Sequence, residues 1–166
     1  MANQPKIIYW DSNVFISMFS ETVGRIDVIM SILGEAYNSN GAVKIVTSVL
    51  SKAEVVFVES ESVSGVLMPD TEKRIEDFWN DDSVIELVEI HEHIIQRAKR
   101  IMRDAKSGGY KTPKPADAIH LATAIIVGAT ELQTYNIADF AKAATVAGIK
   151  VCEPYVVQPP LPMAGI

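Results

Sequence analysis

Cysteine is almost missing from this sequence, and Cys152 is the only one. A disulfide framework within the chain is therefore excluded, as is a zinc site built from cysteines. Long hydrophobic runs are missing too, since no apolar stretch approaches the roughly 18 residues of a membrane span. The first residues lack the basic segment, apolar core and small-residue cleavage site of a secretory signal. A cytoplasmic place with no membrane partner is the expectation. Positive charge is in deficit, because 15 Lys and Arg face 21 Asp and Glu and leave a net −6. That argues against a surface given over wholly to nucleic acid. It leaves local phosphate binding open, because a metal ion brings its own positive charge.

What is present is an ordinary globular balance, 48% apolar and 22% charged over 166 residues. That length suits one domain with a sizeable core. Strand-like and helix-like stretches alternate along it. Lys6 to Trp10 reads as a buried strand, followed by a short helical entry from Asp11 to Phe19. Val23 to Tyr37 reads as a helix with Ile26, Ile29, Met30 and Leu33 at helical spacing, stopped by "NSNG". "AVKIV" from Ala42 is a second strand, with Thr47 or Ser48 capping a helix that begins "SVLSKAEVVF". Pro69 starts an amphipathic helix bearing Ile75, Phe78 and Trp79. "SVIELVEI" from Ser83 alternates like a third strand, and His91 to Lys106 is a helix ended by Gly108 and Gly109. A very apolar helix from Ala116 to Val127, the strand "ELQTY" from Glu131, a helix from Ile137 to Ala147 and the strand "IKVCE" complete the series. Residues 154–166 form a tail with too much proline for a sheet interior.

Alternating strands and helices imply an α/β domain over residues 1–153 with a central, mostly parallel five-stranded sheet flanked by helices. Ligands of such sheets bind outside the carboxyl ends of the strands, and Asp11 sits at one such end. Three further acids have comparable positions. Glu54 lies at the edge of a stripe of Leu50, Ala53 and Phe57, Asp117 opens the apolar helix "ADAIHLATAIIVGA", and Asp139 follows the fourth strand.

Each has an ordinary explanation. Asp117 complements a helix dipole, Asn136 and Asp139 resemble a capping box, Glu54 could point into water, and Asp11 could cap the helix beside it. Together these explanations weaken. Asp117 shares its face with Leu121 and Ala124, which should bury it, and a buried carboxylate without a partner is costly. Two carboxylates about 5 Å apart repel by roughly 3 kcal/mol at an effective dielectric near 20. If the fold gathers several, they must bind protons or a cation, and an all-oxygen set suits magnesium or manganese.

The stretches "IIYWDSNVFI", "VTSVLSKAEVV", "KPADAIHLATA" and "LQTYNIADF" together resemble the PIN-domain family, most nearly the VapC-type toxin ribonucleases. The resemblance runs from Ile7 to Val151. It implies a three-layer PIN-like fold and Mg2+- or Mn2+-dependent hydrolysis of RNA phosphodiesters. It places the acidic ligands on Asp11, Glu54, Asp117 and Asp139, with Asp11, Asp117 and Asp139 holding the ions and Glu54 binding a second ion or orienting water. Ser12, Thr134 and Asn136 become candidates for supporting the ligands or contacting phosphate, with ordinary turn and strand hydroxyls the alternative for Ser12 and Thr134. Asn136 stands where the family usually has another aspartate, which removes one negative charge. Lys111 and Lys114 flank the Asp117 motif and could meet an RNA backbone.

The resemblance also implies a homodimer and an antitoxin protein as partners. Exposed apolar surface for them is expected on the helix from Asp70 to Trp79 and on the tail, through Tyr155, Val156, Val157, Leu161 and Met163. Two alternatives stay open: a PIN-like nuclease of RNA processing or of DNA without an antitoxin, and a non-catalytic PIN domain that binds RNA or protein. His120, three residues past Asp117, is read as directed away from that carboxylate and as a core or interface histidine. His91 and His93 read as a solvated helix start rather than a zinc site.

Overall fold

A computed structural model describes residues 4–81 and 84–157. Five parallel strands form one sheet in the order β3-β2-β1-β4-β5. They are β1 (Lys6–Trp10), β2 (Val43–Ser48), β3 (Ile85–Val88), β4 (Glu131–Gln133) and β5 (Lys150–Cys152). Both neighbours of β1 pair with it in parallel, with Tyr9 opposite Val46 on one side and Leu132 on the other. A central parallel strand is covered on both faces, which is why "KIIYW" has no polar side after its first residue.

Alternation along β1 divides the core. Ile8 and Trp10 enter one cluster, with Phe15, Ile29, Ile45, Ile75 and Trp79. Tyr9 enters the other, with Val46, Ile94, Leu121, Leu132 and Phe140. The first cluster is roofed by α1 (Ser12–Phe19), α2 (Ile26–Asn38) and α5 (Thr71–Trp79), the second by α6 (Glu92–Gly108), α7 (Pro115–Ile126) and α8 (Ile137–Ala147). The result is three layers, helices–sheet–helices. Both tryptophans of the chain lie in the first cluster.

Several elements differ from the sequence reading. The second helix starts at Ile26, not Val23, because Glu21 and Gly24 hold positive φ angles that no helix admits. Val23 is left 95% exposed. Its buried face is Ile29, Ile32, Leu33 and Ala36, and Met30 faces solvent. The helix after β2 is only α3 (Leu50–Glu54). Its buried member is Ser51, with Val55 behind it, while Ala53 and Phe57 are exposed, so the expected Leu50–Ala53–Phe57 stripe does not form. A short helix that the apolar pattern did not announce, α4 (Glu59–Ser64), follows it. The Glu61 carboxylate accepts the N–H groups of Val58 (3.2 Å) and Met68 (2.6 Å), tying both ends of this segment together.

The aromatic helix α5 is not an exposed patch. Ile75 and Trp79 are each 4% exposed, and the Trp79 ring lies 5.0 Å from that of Phe15. Burial of large aromatic surface outweighs any docking role for these residues. In the tail, Tyr155, Val156 and Val157 do face solvent in part. Leu161 and Met163 of that expected surface, and Ser83 of the third strand, lie outside the described residues. Among the described residues no helix is long and apolar enough to cross a membrane.

Candidate active site

The strand order reverses around β1, so the carboxyl ends of β1 and β4 bound the crevice where α/β sheets bind ligands. Asp11 follows β1 directly and is 4% exposed. One oxygen, Oδ1, accepts the backbone N–H of Ser12 at 2.8 Å and its hydroxyl at 3.3 Å. The other, Oδ2, accepts the Asn13 amide at 2.6 Å and the Thr134 hydroxyl at 3.0 Å. The helix-cap explanation is thus true of Asp11 and insufficient, since the carboxylate also binds across to the end of β4. Ser12 and Thr134 both donate their hydroxyls to this carboxylate, and the Thr134 oxygen serves the turn after β4 as well.

Asn13 locks the crossing. Its amide also donates to Thr134 Oγ1 at 2.9 Å, and its carbonyl accepts the N–H of Tyr135 at 2.9 Å. Thr134 Oγ1 in turn accepts the N–H of Asn136 at 2.9 Å. Burial is the largest influence on the Asp11 carboxyl and pushes it above the ordinary range, against the pull of His120, Thr134 and Ser12.

Glu54 reaches the same place from the end of α3. Its Oε2 lies 2.6 Å from His120 Nε2, and that nitrogen is 3.6 Å from Asp11 Oδ1. Burial raises the Glu54 carboxyl, but His120 and Ser12 together outweigh it and hold it below its usual range. His120 is fully buried, and its other nitrogen, Nδ1, meets the Tyr9 hydroxyl at 2.7 Å. Burial disfavours the imidazolium, yet the Glu54 hydrogen bond and the charges of Asp11, Glu54 and Asp117 raise its pKa on balance. Asp11, Glu54 and His120 each offer a ligand atom, all within 4.8 Å of one another.

This corrects the reading of His120 as turned from the site. Three residues of an α-helix advance 300°, which leaves His120 about 60° from Asp117 rather than opposite it. It is a core histidine, as expected, and its edge still faces the carboxylates.

Asp117 sits in the first turn of α7, half-buried rather than buried. Burial raises its carboxyl most, followed by the negative charges of Asp11 and Asp139. Asp139 stands further out and is paired, with Lys111 on one oxygen and the Asn136 amide on the other. The Lys111 hydrogen bond holds its carboxyl below the usual range, helped by Asn136 and by the charges of Lys111 and Lys114. The capping box expected here does not form, since the Asn136 N–H goes to Thr134. Lys114 is the exposed N-cap residue of α7. His91 and His93 stack with ring centroids 5.7 Å apart and are exposed, as a solvated helix start should be.

Asp11, Glu54 and His120 therefore form a compact core of two carboxylates and an imidazole, and Asp117 is coupled by charge both to it and to Asp139. The donor set fits a divalent cation, because carboxylate oxygens dominate it and no lysine or arginine is paired with Asp11, Glu54 or Asp117 among the described residues. Sequence reasoning missed Asn13 and, while singling out His120, turned it away from the carboxylates. An amide two residues after Asp11 gives no signal by itself, because its partners lie 121 and 122 positions away.

A PIN-domain family model matches residues 8–146. The chain belongs to the PIN-domain family. No curated protein matches it. Among solved structures it is similar to VapBC2 from Rickettsia felis bound to a DNA fragment from its promoter, at 16% identity and a TM-score of 0.63, covering 89% of this chain and 98% of that one. It is similar to a toxin–antitoxin complex from Klebsiella pneumoniae at 24% identity and a TM-score of 0.57, covering 90% and 99%. It is also similar to VapC20 from Mycobacterium tuberculosis, described as a sarcin–ricin loop cleaving toxin, at 12% identity and a TM-score of 0.61, covering 92% and 99%. The fold is that of the PIN toxins of toxin–antitoxin pairs.

Proposed function

We propose that this chain is a metal-dependent endoribonuclease, the toxin of a toxin–antitoxin pair. The observation that carries the reading is the cluster past the end of β1: Asp11, Glu54 and His120 each offer a ligand atom, all within 4.8 Å of one another, with Asp117 coupled to them by charge. Among the described residues His120 is the one basic group against Asp11 and Glu54, and no lysine or arginine is paired with either of them or with Asp117, so a divalent ion would complete the set. Asp11, Asp117 and Asp139 would hold Mg2+ or Mn2+, with Glu54 binding a second ion or aligning the attacking water. The metal supplies phosphate polarisation and a water acidic enough to attack near neutral pH. His120 keeps Glu54 in place, Ser12, Asn13 and Thr134 fix Asp11, and Asn136 and Lys114 would contact substrate phosphate.

RNA as substrate follows from the family resemblance, and the sarcin–ricin loop cleaved by the mycobacterial relative supports it. A partner protein is supported by the complexes in which the neighbours occur. Here Val56, Phe57, Val63, Val66, Leu67 and Met68 are all 47% exposed or more, in the segment that begins two residues after Glu54. A cavity of about 450 Å³ opens among Val56, Phe57, Leu67, Met68 and Ile75. An antitoxin segment would cover this apolar rim. We propose also a homodimer and a cytoplasmic place.

The test is cleavage of RNA by the purified chain with Mg2+, Mn2+ or EDTA, beside Asp117→Asn. Cleavage that needs the ion and vanishes in the variant is expected, and full activity in the variant would refute the mechanism. One observation favours a second reading, a non-catalytic binding domain: Lys111 already neutralises Asp139. Calorimetry showing no binding of either ion would favour it.

A further inference from the structure

The positive charge of this chain is concentrated in one place. Residues 97–114 hold seven of the fifteen lysines and arginines and only one of the twenty-one acids, Asp104. This segment carries +6, and the remainder of the chain carries −12. Most of it is α6. The buried face of α6 is Ile94, Ala98, Ile101 and Ala105. At 100° per residue, Lys99, Arg100, Arg103 and Lys106 fall within about a third of a turn of one another, centred opposite that face. All four are exposed, and among the described residues none is in an ion pair.

Three features make this more than the solvated side of an amphipathic helix. First, Gln96, Arg97, Lys99, Arg100 and Arg103 wall a groove of about 600 Å³, with His93 and one carboxylate, Asp104, beside them. Second, Arg100 and Arg103 bring exposed guanidinium groups to that groove, and a guanidinium fork matches the oxygens of phosphate. Third, the stripe leads to the carboxylate site. Five peptide steps hold the Cα of Lys106 within about 18 Å of that of Lys111, and Lys111 is paired with Asp139 while Lys114 caps the helix bearing Asp117.

We propose that the basic face of α6, through Lys99, Arg100, Arg103 and Lys106, is a track for the phosphate backbone of single-stranded RNA, which Lys111 and Lys114 continue to the carboxylate site. This rests on the nuclease reading for its destination but not for its binding. A row of cations offset from the site lets a polyanion approach carboxylates that would otherwise repel it. A second copy of the chain is a poor occupant, because an isologous dimer would set the stripe against itself.

The experiment measures binding of fluorescein-labelled single-stranded RNA to the full chain by anisotropy, in EDTA so that no metal-dependent cleavage occurs. It compares wild type with K99Q/R100Q/R103Q/K106Q and with the milder R100Q/R103Q, which keeps the result readable if four changes disturb folding. Expected are at least about tenfold weaker binding for the quadruple variant and a salt dependence shallower by about 0.7 for each lost phosphate contact. An intermediate loss is expected for the double variant. Unchanged RNA affinity in the folded variants would overturn the track, even if metal-dependent cleavage is found. Oligoglutamate bound as tightly as RNA, and lost in the same variants, would overturn it in favour of an acidic protein segment. RNA bound through α6 with no cleavage in Mg2+ or Mn2+ would leave the track standing and remove the nuclease reading.

Discussion

His120 joins Glu54 to the centre of the protein: its Nε2 lies 2.6 Å from the Glu54 carboxylate and its Nδ1 2.7 Å from the Tyr9 hydroxyl. Glu54 ends a five-residue helix that cannot hold its own side chain rigidly, so a fully buried ring from α7 does so. Replacing His120 with Leu keeps the apolar bulk and leaves Tyr9 and Glu54 without this partner. We expect a loss of about 1–3 kcal/mol in urea denaturation, together with weaker Mn2+ binding by calorimetry. Wild-type stability would contradict the packing role.

Asp117→Asn removes charge at nearly constant shape. The folded-state carboxyl is raised, so its ionised form opposes folding at neutral pH. The variant should melt higher than wild type in EDTA and lose that advantage when Mg2+ is added. Scanning calorimetry in both buffers checks the reversal.

Glu131 gives a pH dependence outside the acidic cluster, at the start of β4. It starts β4 with its side chain 4% exposed. Burial raises its carboxyl, but hydrogen bonds from Lys150 (3.1 Å), Tyr155 (2.9 Å) and Gln133 (2.8 Å), with the charge of Lys6, bring it below the usual range. A lowered carboxyl adds stability above its unfolded-state pKa, and this is lost as pH falls through the folded-state value. Glu131→Gln should therefore be less stable than wild type at pH 7, with the gap closing at strongly acid pH. Equal urea midpoints at pH 7 would contradict this.

Trp79 was a candidate for an exposed docking surface and is instead packed on Phe15 and Phe78. Trp79→Ala should cost about 3–5 kcal/mol. By contrast, Phe57→Ser and Leu67→Ser, at residues 48% and 67% exposed, should change stability by no more than about 0.5 kcal/mol. Thermal melts of the three variants separate core from rim.

The homodimer is tested by light scattering. A species of twice 18.2 kDa at micromolar concentration is expected, and a single 18.2 kDa species would count against it.

Much of the fold could be read from the chain because its signals are local. "KIIYW" is apolar without interruption, and Ile137 to Ala147 is bounded by the turn after β4 and by Gly148, whose φ of 81° stops the helix. The end of α3 could not be read that way. "SKAEVVF" continues an apolar pattern past Glu54, and only tertiary packing decides that Val55 turns inward while Val56 and Phe57 do not. In the site, Asp11 stood out because a charge interrupts a buried run. Asn13 and His120 did not, because their partners are set by sheet pairing and helix docking across the whole chain. Asp139 was legible as an acid after β4, but its pairing with Lys111 depends on where the loop before α7 lies.

The placement of both tryptophans on one side of the sheet has a practical meaning. Trp10 is fully buried and immediately precedes Asp11, and Trp79 shares its cluster. Intrinsic indole emission therefore reports the layer of α1, α2 and α5, while the layer of α6, α7 and α8 contributes no indole among its clustered residues. If the two layers open at different denaturant concentrations, fluorescence and far-ultraviolet circular dichroism will give different midpoints. A coincidence of the two curves would mean that the sheet transmits unfolding from one side to the other as a single cooperative unit.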